Sequence, residues 1–344
     1  MAGLQLSAKL KLFLEVNGHE IDEDTLKLLA LVEAMGSILK ASRALGMAYS
    51  RAWERIARIE RVTGFKIIEA KRGGRGGGGA RLTPIGRQLV AKFLEEYRRI
   101  FGANPLEGSS SPRLAEVMIY AGSNDPLLEK ILGVLREDYA CEVHWIGSMR
   151  GLASIVLGEA WVTGIHLLDE DSGLYNEPYI EKLKISDLVI RKPLFWRVQG
   201  FMVRAEMSYS EVIEGLLRGR LRLVNRCWGS GTRILLDHVL RAEARKLGVD
   251  PSSIPKLVKG YDREVSTHVE VAKLVASGEA DVGMGIEWAA QIYGLNFVRV
   301  KEELFELVVR KDVAEEPPVQ RLLELVESEL PLLIKGFPGY RLAR

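Results

Sequence analysis

Six glycines occupy the seven positions 73–79 in the run RGGRGGGGARLT (72–83). Few helices or strands tolerate such a density, because glycine loses the most backbone freedom on ordering. The flanking residues decide its use. KIIEA (66–70) and ARLT (80–83) read as short strands, and Thr83-Pro84 opens a helix with a hydroxyl cap and a proline at the first helical position. A linker would not be bracketed in this way. A P-loop requires G-K-[ST] and an immediate helix, and neither follows the glycines. The segment is therefore expected to be the tip of a β-hairpin, with Lys71, Arg72, Arg75 and Arg81 presenting charge to a phosphate surface.

The residues before the hairpin have helical punctuation. Alternation in LQLSAKLKLFLEV leads to a turn signal at Asn17-Gly18, and DEDTLKLLALVEAMG starts a helix near Asp22. SILKASRALG gives a short helix stopping at Gly46, and MAYSRAWERIARIERVTG a third ending at Gly64. A short helix, a tight Gly turn and a second, two-faced helix suggest a helix-turn-helix, and the hairpin makes it winged. On the third helix Ala52, Trp53, Ile56 and Ile59 are expected inward. Arg51, Arg55 and Arg58 should share the outer face with Tyr49 and Ser50, where arginines reach guanine or phosphate; Ser37 completes the candidate DNA contacts. Charge agrees: residues 37–101 hold fifteen Lys/Arg against five Asp/Glu, a net of +10, leaving −8 for the rest of a chain whose total is +2. A basic segment on an acidic body implies a polyanion partner for one part only.

PIGRQLVAKFLEEYRRIFG carries Ile85, Leu89, Phe93 and Tyr97 at four-residue spacing, beside Val90 and Leu94, and is read as a homodimerisation helix within 84–101 in preference to one packing on its own domain. GANPLEGSSSPR (102–113) reads as a linker. The expected domains are 1–83, a connecting segment 84–113, and a body of 114–344. In that body short apolar strands alternate with helices, which predicts an α/β architecture with parallel sheets. Hydroxyl residues follow several strand ends: Ser123 with Asn124, Ser148, Ser230-Gly231-Thr232-Arg233, and Thr267. Helix N-termini there would offer unpaired N–H groups to a small anion, and ligands of open α/β sheets gather at the carboxyl ends of strands. Arg233 either pairs with such a ligand or forms a structural ion pair. His166, Asn176 and His268 are weaker candidates.

EAMGSILKASRALGMAYSRAWERIARIERVTG followed by RGGRGGGGARLTPIG closely resembles the DNA-binding domain of the ModE molybdate-responsive regulators, across roughly residues 20–100. That resemblance implies a dimer on a pseudo-palindromic operator in double-stranded DNA. VNRCWGSGTRILLDHVL, with GIHLLDEDSGLYN upstream and THVEVAKLVASGEADVGMGI downstream, resembles a periplasmic-binding-protein-like family associated with molybdate, across about 115–310. It implies a bilobed type II binding-protein domain, with molybdate or tungstate as the effector. Cys227-Trp228 departs from the family's NRQ-type sequence. The familiar ModE proteins carry small β-barrel oxyanion domains instead, so specificity does not pass from the first domain to the second.

Other classes find little support. Cys141 and Cys227 fit no disulfide or zinc pattern, and HExxH, GxSxG and metal-spaced clusters are missing from the sequence. No catalytic residue, metal or cofactor is expected. The sequence also lacks a membrane-length apolar run and a signal-peptide core, which predicts a cytoplasmic protein without a membrane partner. Two alternatives stay open: a LysR-like regulator sensing a small organic ligand, and a molybdenum-cofactor enzyme merely localised by its first domain.

Overall fold

A computed structural model describes residues 11–71, 79–106 and 117–343, with Lys71 described by its backbone alone. Apart from residues 157–159, the chain divides into two compact units, one before and one after position 117.

In the first unit a hairpin of β1 (Phe13–Val16) and β2 (His19–Asp22) turns at Asn17 and Gly18, both with positive φ. Asp22 caps α1 (Glu23–Met35) by accepting from Thr25 N, and α2 (Ile38–Ala44) and α3 (Tyr49–Thr63) follow. The second hairpin, β3 (Ile68–Lys71) and β4 (Gly79–Leu82), pairs Ile68 with Leu82 and Lys71 with Gly79. Arg72 and Arg75 lie outside the described residues. Thr83 then caps α4 (Pro84–Phe101), with its hydroxyl accepting from Gly86 N. Leu26, Leu29, Ile38, Ala52, Trp53, Ile56, Ile59, Val90 and Phe93 are all buried, and α4 packs on α1. Part of the α4 stripe is therefore spent inside its own unit.

The second unit runs β5 (Met118–Gly122), α5 (Pro126–Asp138), β6 (Cys141–Trp145), α6 (Ser148–Val156), β7 (Val162–Ile165), α7 (Glu177–Lys182) and β8 (Val189–Val203). It continues through α8 (Tyr209–Leu217), β9 (Leu223–Arg226), α9 (Gly231–Lys246), α10 (Ile254–Leu257), β10 (Glu264–Val265), α11 (His268–Ala276), β11 (Val282–Ile286) and α12 (Glu287–Ile292). β12 (Asn296–Arg310), α13 (Pro317–Ser328), α14 (Leu330–Leu333) and β13 (Tyr340–Leu342) complete it. The sheet order is β10-β9-β11-β8-β12-β7-β5-β6, with β13 on β8.

The expectation of parallel sheets needs correction. β5, β6 and β7 are parallel, as are β9, β10 and β11, but β8 and β12 are 15-residue strands antiparallel to each other and to their neighbours. Each long strand serves both halves: β8 pairs with β11 through 199–203, and β12 with β7 through 306–309. Two crossings joining two halves make the unit bilobed. One core gathers α5 and α13 around Tyr120, Phe195 and Phe305; two others pack α8 and α9, and α11 and α12, on the opposite half. Mid-crossing, Arg197 stands opposite Glu303 and Gln199 opposite Lys301. Arg197 and Gln199 share a face because strand side chains alternate.

Candidate functional site

The exposed face of α3 carries fewer free arginines than its spacing predicts. Arg51 and Arg58 are exposed and Ser50 half-buried. Arg55, by contrast, turns back to α1, donating to Asp22 Oδ1 and, at 2.6 Å, to Thr25 Oγ1. Hydrogen bonds from Thr25 and then from Arg55 hold the Asp22 carboxyl below its ordinary value although burial opposes ionisation. Tyr49 is not on the outer face either. Its ring is buried edge-on to Trp53, 6.2 Å between centroids, and its hydroxyl donates to Glu159 Oε2. Ser37 serves as the cap of α2, accepting from Lys40 N. On the wing Arg81 is exposed and paired with Glu69 at 3.0 Å.

In the second unit the loops after the parallel strands converge on the β8–β12 crossing. Ser123, just past β5, is not the cap of α5; Asp125 is, accepting from Leu127 N and Leu128 N. The Ser123 hydroxyl instead lies 2.7 Å from Nε2 of His166, whose Nδ1 is 2.8 Å from Glu303 Oε2. An ionised carboxylate there fixes the proton on Nδ1, leaving Nε2 to accept from serine. Glu303 Oε1 accepts from Arg197 Nε and Gln199 Nε2, each at 2.6 Å, and Arg197 Nη1 reaches Asp125. Burial alone would raise the Glu303 carboxyl, but His166 and Arg197 hold it at about 2. Burial lowers His166, with Glu303 pulling it up and Arg197 pushing it further down.

Ser148, the first residue of α6, accepts from His166 N at 3.2 Å. Ser230 caps α9, and a Cβ on Gly231 would fall 2.4 Å from His166 Nδ1. Met149 N donates to Gly229 O, so the loops entering α6 and α9 meet. The cluster thus draws together Ser123, Ser148, Ser230, Gly231 and Thr232; Asn124 is buried in the loop next to Ser123. Two candidates are used otherwise. Arg233 pairs with Asp237 at 3.2 Å, donates to Tyr261 O and lies over the Tyr261 ring. Thr267 forms a capping box with Glu270. Asn176 is a backbone tie, accepting from Leu167 N and donating to Leu304 O.

Sequence reasoning missed Arg197, Gln199, Arg226 and Glu303 and undervalued both histidines. Arg226 and His268 are 2% and 1% exposed. Among the described residues no hydrogen-bond partner meets Arg197 Nη2, Gln199 Oε1, Arg226 Nε and Nη1, Thr232 Oγ1, or either ring nitrogen of His268. Each buried polar group left so costs about 1–3 kcal/mol. The described residues offer no group of three or more His, Cys, Asp or Glu side chains arranged for a metal ion.

Comparison with known proteins places this architecture. Residues 134–327, more than half the chain, match the model of the PBP superfamily domain. The chain belongs to the PBP superfamily. Residues 24–87 of this PBP-superfamily protein match the bacterial regulatory helix-turn-helix protein, lysR family. A lysR-family helix-turn-helix is thus joined to a PBP-superfamily domain. The chain is 31% identical over 186 residues to the uncharacterized protein YvgK of Bacillus subtilis (strain 168), covering 53% of this chain and 56% of that one. It is 27% identical over 154 residues to the molybdenum-pterin-binding protein MopB of Rhodobacter capsulatus, 42% and 55% of the two chains. It is also 36% identical over 94 residues to the molybdenum transport protein ModE of Herbaspirillum seropedicae, 27% and 33%. The match therefore spans little more than half of YvgK and MopB and a third of ModE. No helix among the described residues is long and apolar enough to cross a membrane.

Proposed function

We propose that this chain is a cytoplasmic transcription regulator that binds double-stranded operator DNA as a homodimer and is switched by a small oxyanion of the molybdate or tungstate class. The observation that carries the effector half is the set of buried, unpartnered polar atoms between the two halves of the second unit. Most are donors, and the carboxylates beside Arg197 are already partnered, Glu303 by Arg197, Gln199 and His166 and Asp125 by Arg197 and Tyr340. Such a site favours an anion and disfavours a cation or an apolar molecule. The relatives named for molybdenum support molybdate within that class.

For the DNA half, exposed Arg51 and Arg58 and half-buried Ser50 on α3, with exposed Arg81 on the wing, would meet bases and phosphates. The pseudo-palindromic operator follows from a dimer. Within α4, Ile100 is 49% exposed and Leu89, Leu94 and Tyr97 are partly so, leaving apolar surface for a second copy. The test is calorimetric titration of the full chain with molybdate, tungstate and sulfate, followed by operator binding at saturating ligand. Tight binding of one metal oxyanion and a changed operator affinity are expected. Silence toward all three, with binding of a small organic carboxylate, would replace the oxyanion by an organic effector.

A further inference from the structure

Arg226, Thr232 and His268 come from three different elements of one half, at the ends of β9, α9 and α11. Local pairing brings Arg226 and His268 together. Val265 pairs with Arg226 across β10 and β9, Cys227 N donates to Val265 O, and Arg226 Nη2 donates to Ser266 O at 2.8 Å, two residues before His268. Gly231, beside Thr232, packs on His166 of the other half. His268 has an uncharged floor: its Nδ1 lies near Gly285 of β11, where an added Cβ would approach to 3.2 Å, and Met202 of β8 adjoins the same spot.

The charged groups that face His268 are Arg226 from β9 and Arg197 from β8, with the titratable His166 after β7. All three disfavour a proton on His268, as does burial, so its ring is neutral in the empty site. On its own helix, Glu270 is engaged as the cap partner of Ser266 and Thr267. Of the two neighbouring imidazoles, His166 has both nitrogens occupied and His268 neither. A dianion entering beside Arg226 would therefore find one group still able to supply both charge and a donor.

We infer that Arg226, Thr232 and His268 form the anion clamp of this site, and that His268 closes it as an imidazolium, so that capture of a divalent oxyanion takes up one proton from solvent. The inference rests on the oxyanion reading above. The atoms balance simply: a solvent proton joins the free imidazole nitrogen, and the ring then donates to the ligand. Arg226 donates through Nε and Nη1, and Thr232 through its hydroxyl.

The test uses the full chain and sodium molybdate, titrated calorimetrically at pH 7 in two buffers of different ionisation enthalpy. Close to one proton taken up per molybdate is expected, with the association constant falling about tenfold per pH unit between pH 6.5 and 8. His268→Gln should abolish the uptake and weaken binding at least tenfold, while His144→Gln on β6 keeps both. Molybdate binding without proton uptake, or with uptake that survives in His268→Gln, would overturn the clamp and leave the oxyanion reading standing. No binding of molybdate, tungstate or sulfate would remove that reading itself. If His268→Gln fails to fold, the pH dependence of the native chain still decides.

Discussion

Glu303 is a buried carboxylate whose three donors come from β8 (Arg197 and Gln199) and from His166 just past β7, and this fixes how the protein should respond to acid. Its ordinary value of 4.5 falls to about 2 in the folded chain, burial opposing the shift and His166 and Arg197 driving it. A folded value below the unfolded one contributes stability that is fully present above pH 4.5 and is lost as pH falls toward 2. Glu303→Gln removes that contribution and leaves Arg197 with Asp125 as its remaining ion-pair partner. The variant should lose about 3–5 kcal/mol at pH 7. Its deficit against the native chain should shrink steadily from about pH 5 to pH 2 in denaturant melts; a constant deficit would show that Glu303 is not ionised in the fold. Gly231 makes a second residue-scale case. A methyl group there would sit 2.2 Å from His166 O as well as 2.4 Å from Nδ1, so Gly231→Ala must push α9 from His166. We expect about 1–3 kcal/mol of destabilisation and a marked loss of molybdate affinity; unchanged affinity would mean that α9 does not face the ligand.

At the scale of elements, α3 shows why a spacing argument succeeds for a core and falters on a surface. The inward positions Ala52, Trp53, Ile56 and Ile59 were legible because burial follows helical period. The outward arginines were not equivalent, since Asp22 and Thr25, 33 and 30 residues away, claim Arg55. Arg51→Ala and Arg58→Ala should each reduce operator affinity about tenfold or flatten its salt dependence by about one counterion, without a change in stability. Arg55→Ala should do the reverse, costing about 1 kcal/mol of stability. Equal losses of affinity from all three would restore the simple outer-face picture. For α4 the apolar stripe has two uses. Phe93→Ala should destabilise the unit by about 3–5 kcal/mol because its ring is fully buried. Ile100→Glu should leave the fold intact and shift sedimentation toward a monomer if α4 is the dimer contact.

For the whole molecule, legibility followed the range of the interactions. Caps, hairpin turns and strand–helix alternation are local, and the sequence disclosed them: Asp22, Thr83, Ser230 and the paired strands around the glycines all stand where local chemistry expects. The candidate ligand cluster is non-local. Arg197 meets Glu303 across 106 residues, and only the pairing of β8 with β12 says so. An acidic stretch such as KEELFELVVR, residues 301–310, conceals a strand because its carboxylates are partnered from elsewhere. Each unit owns a separate set of buried side chains, so the chain should not melt as a single two-state body. Differential scanning calorimetry of the full chain should resolve two transitions. Molybdate at a hundred times its dissociation constant should add about 2.7 kcal/mol to the unit that binds it, moving one transition upward and leaving the other in place. Movement of both together would mean that the units unfold cooperatively. Movement of neither would remove the oxyanion as effector, whatever the helix-turn-helix does on DNA.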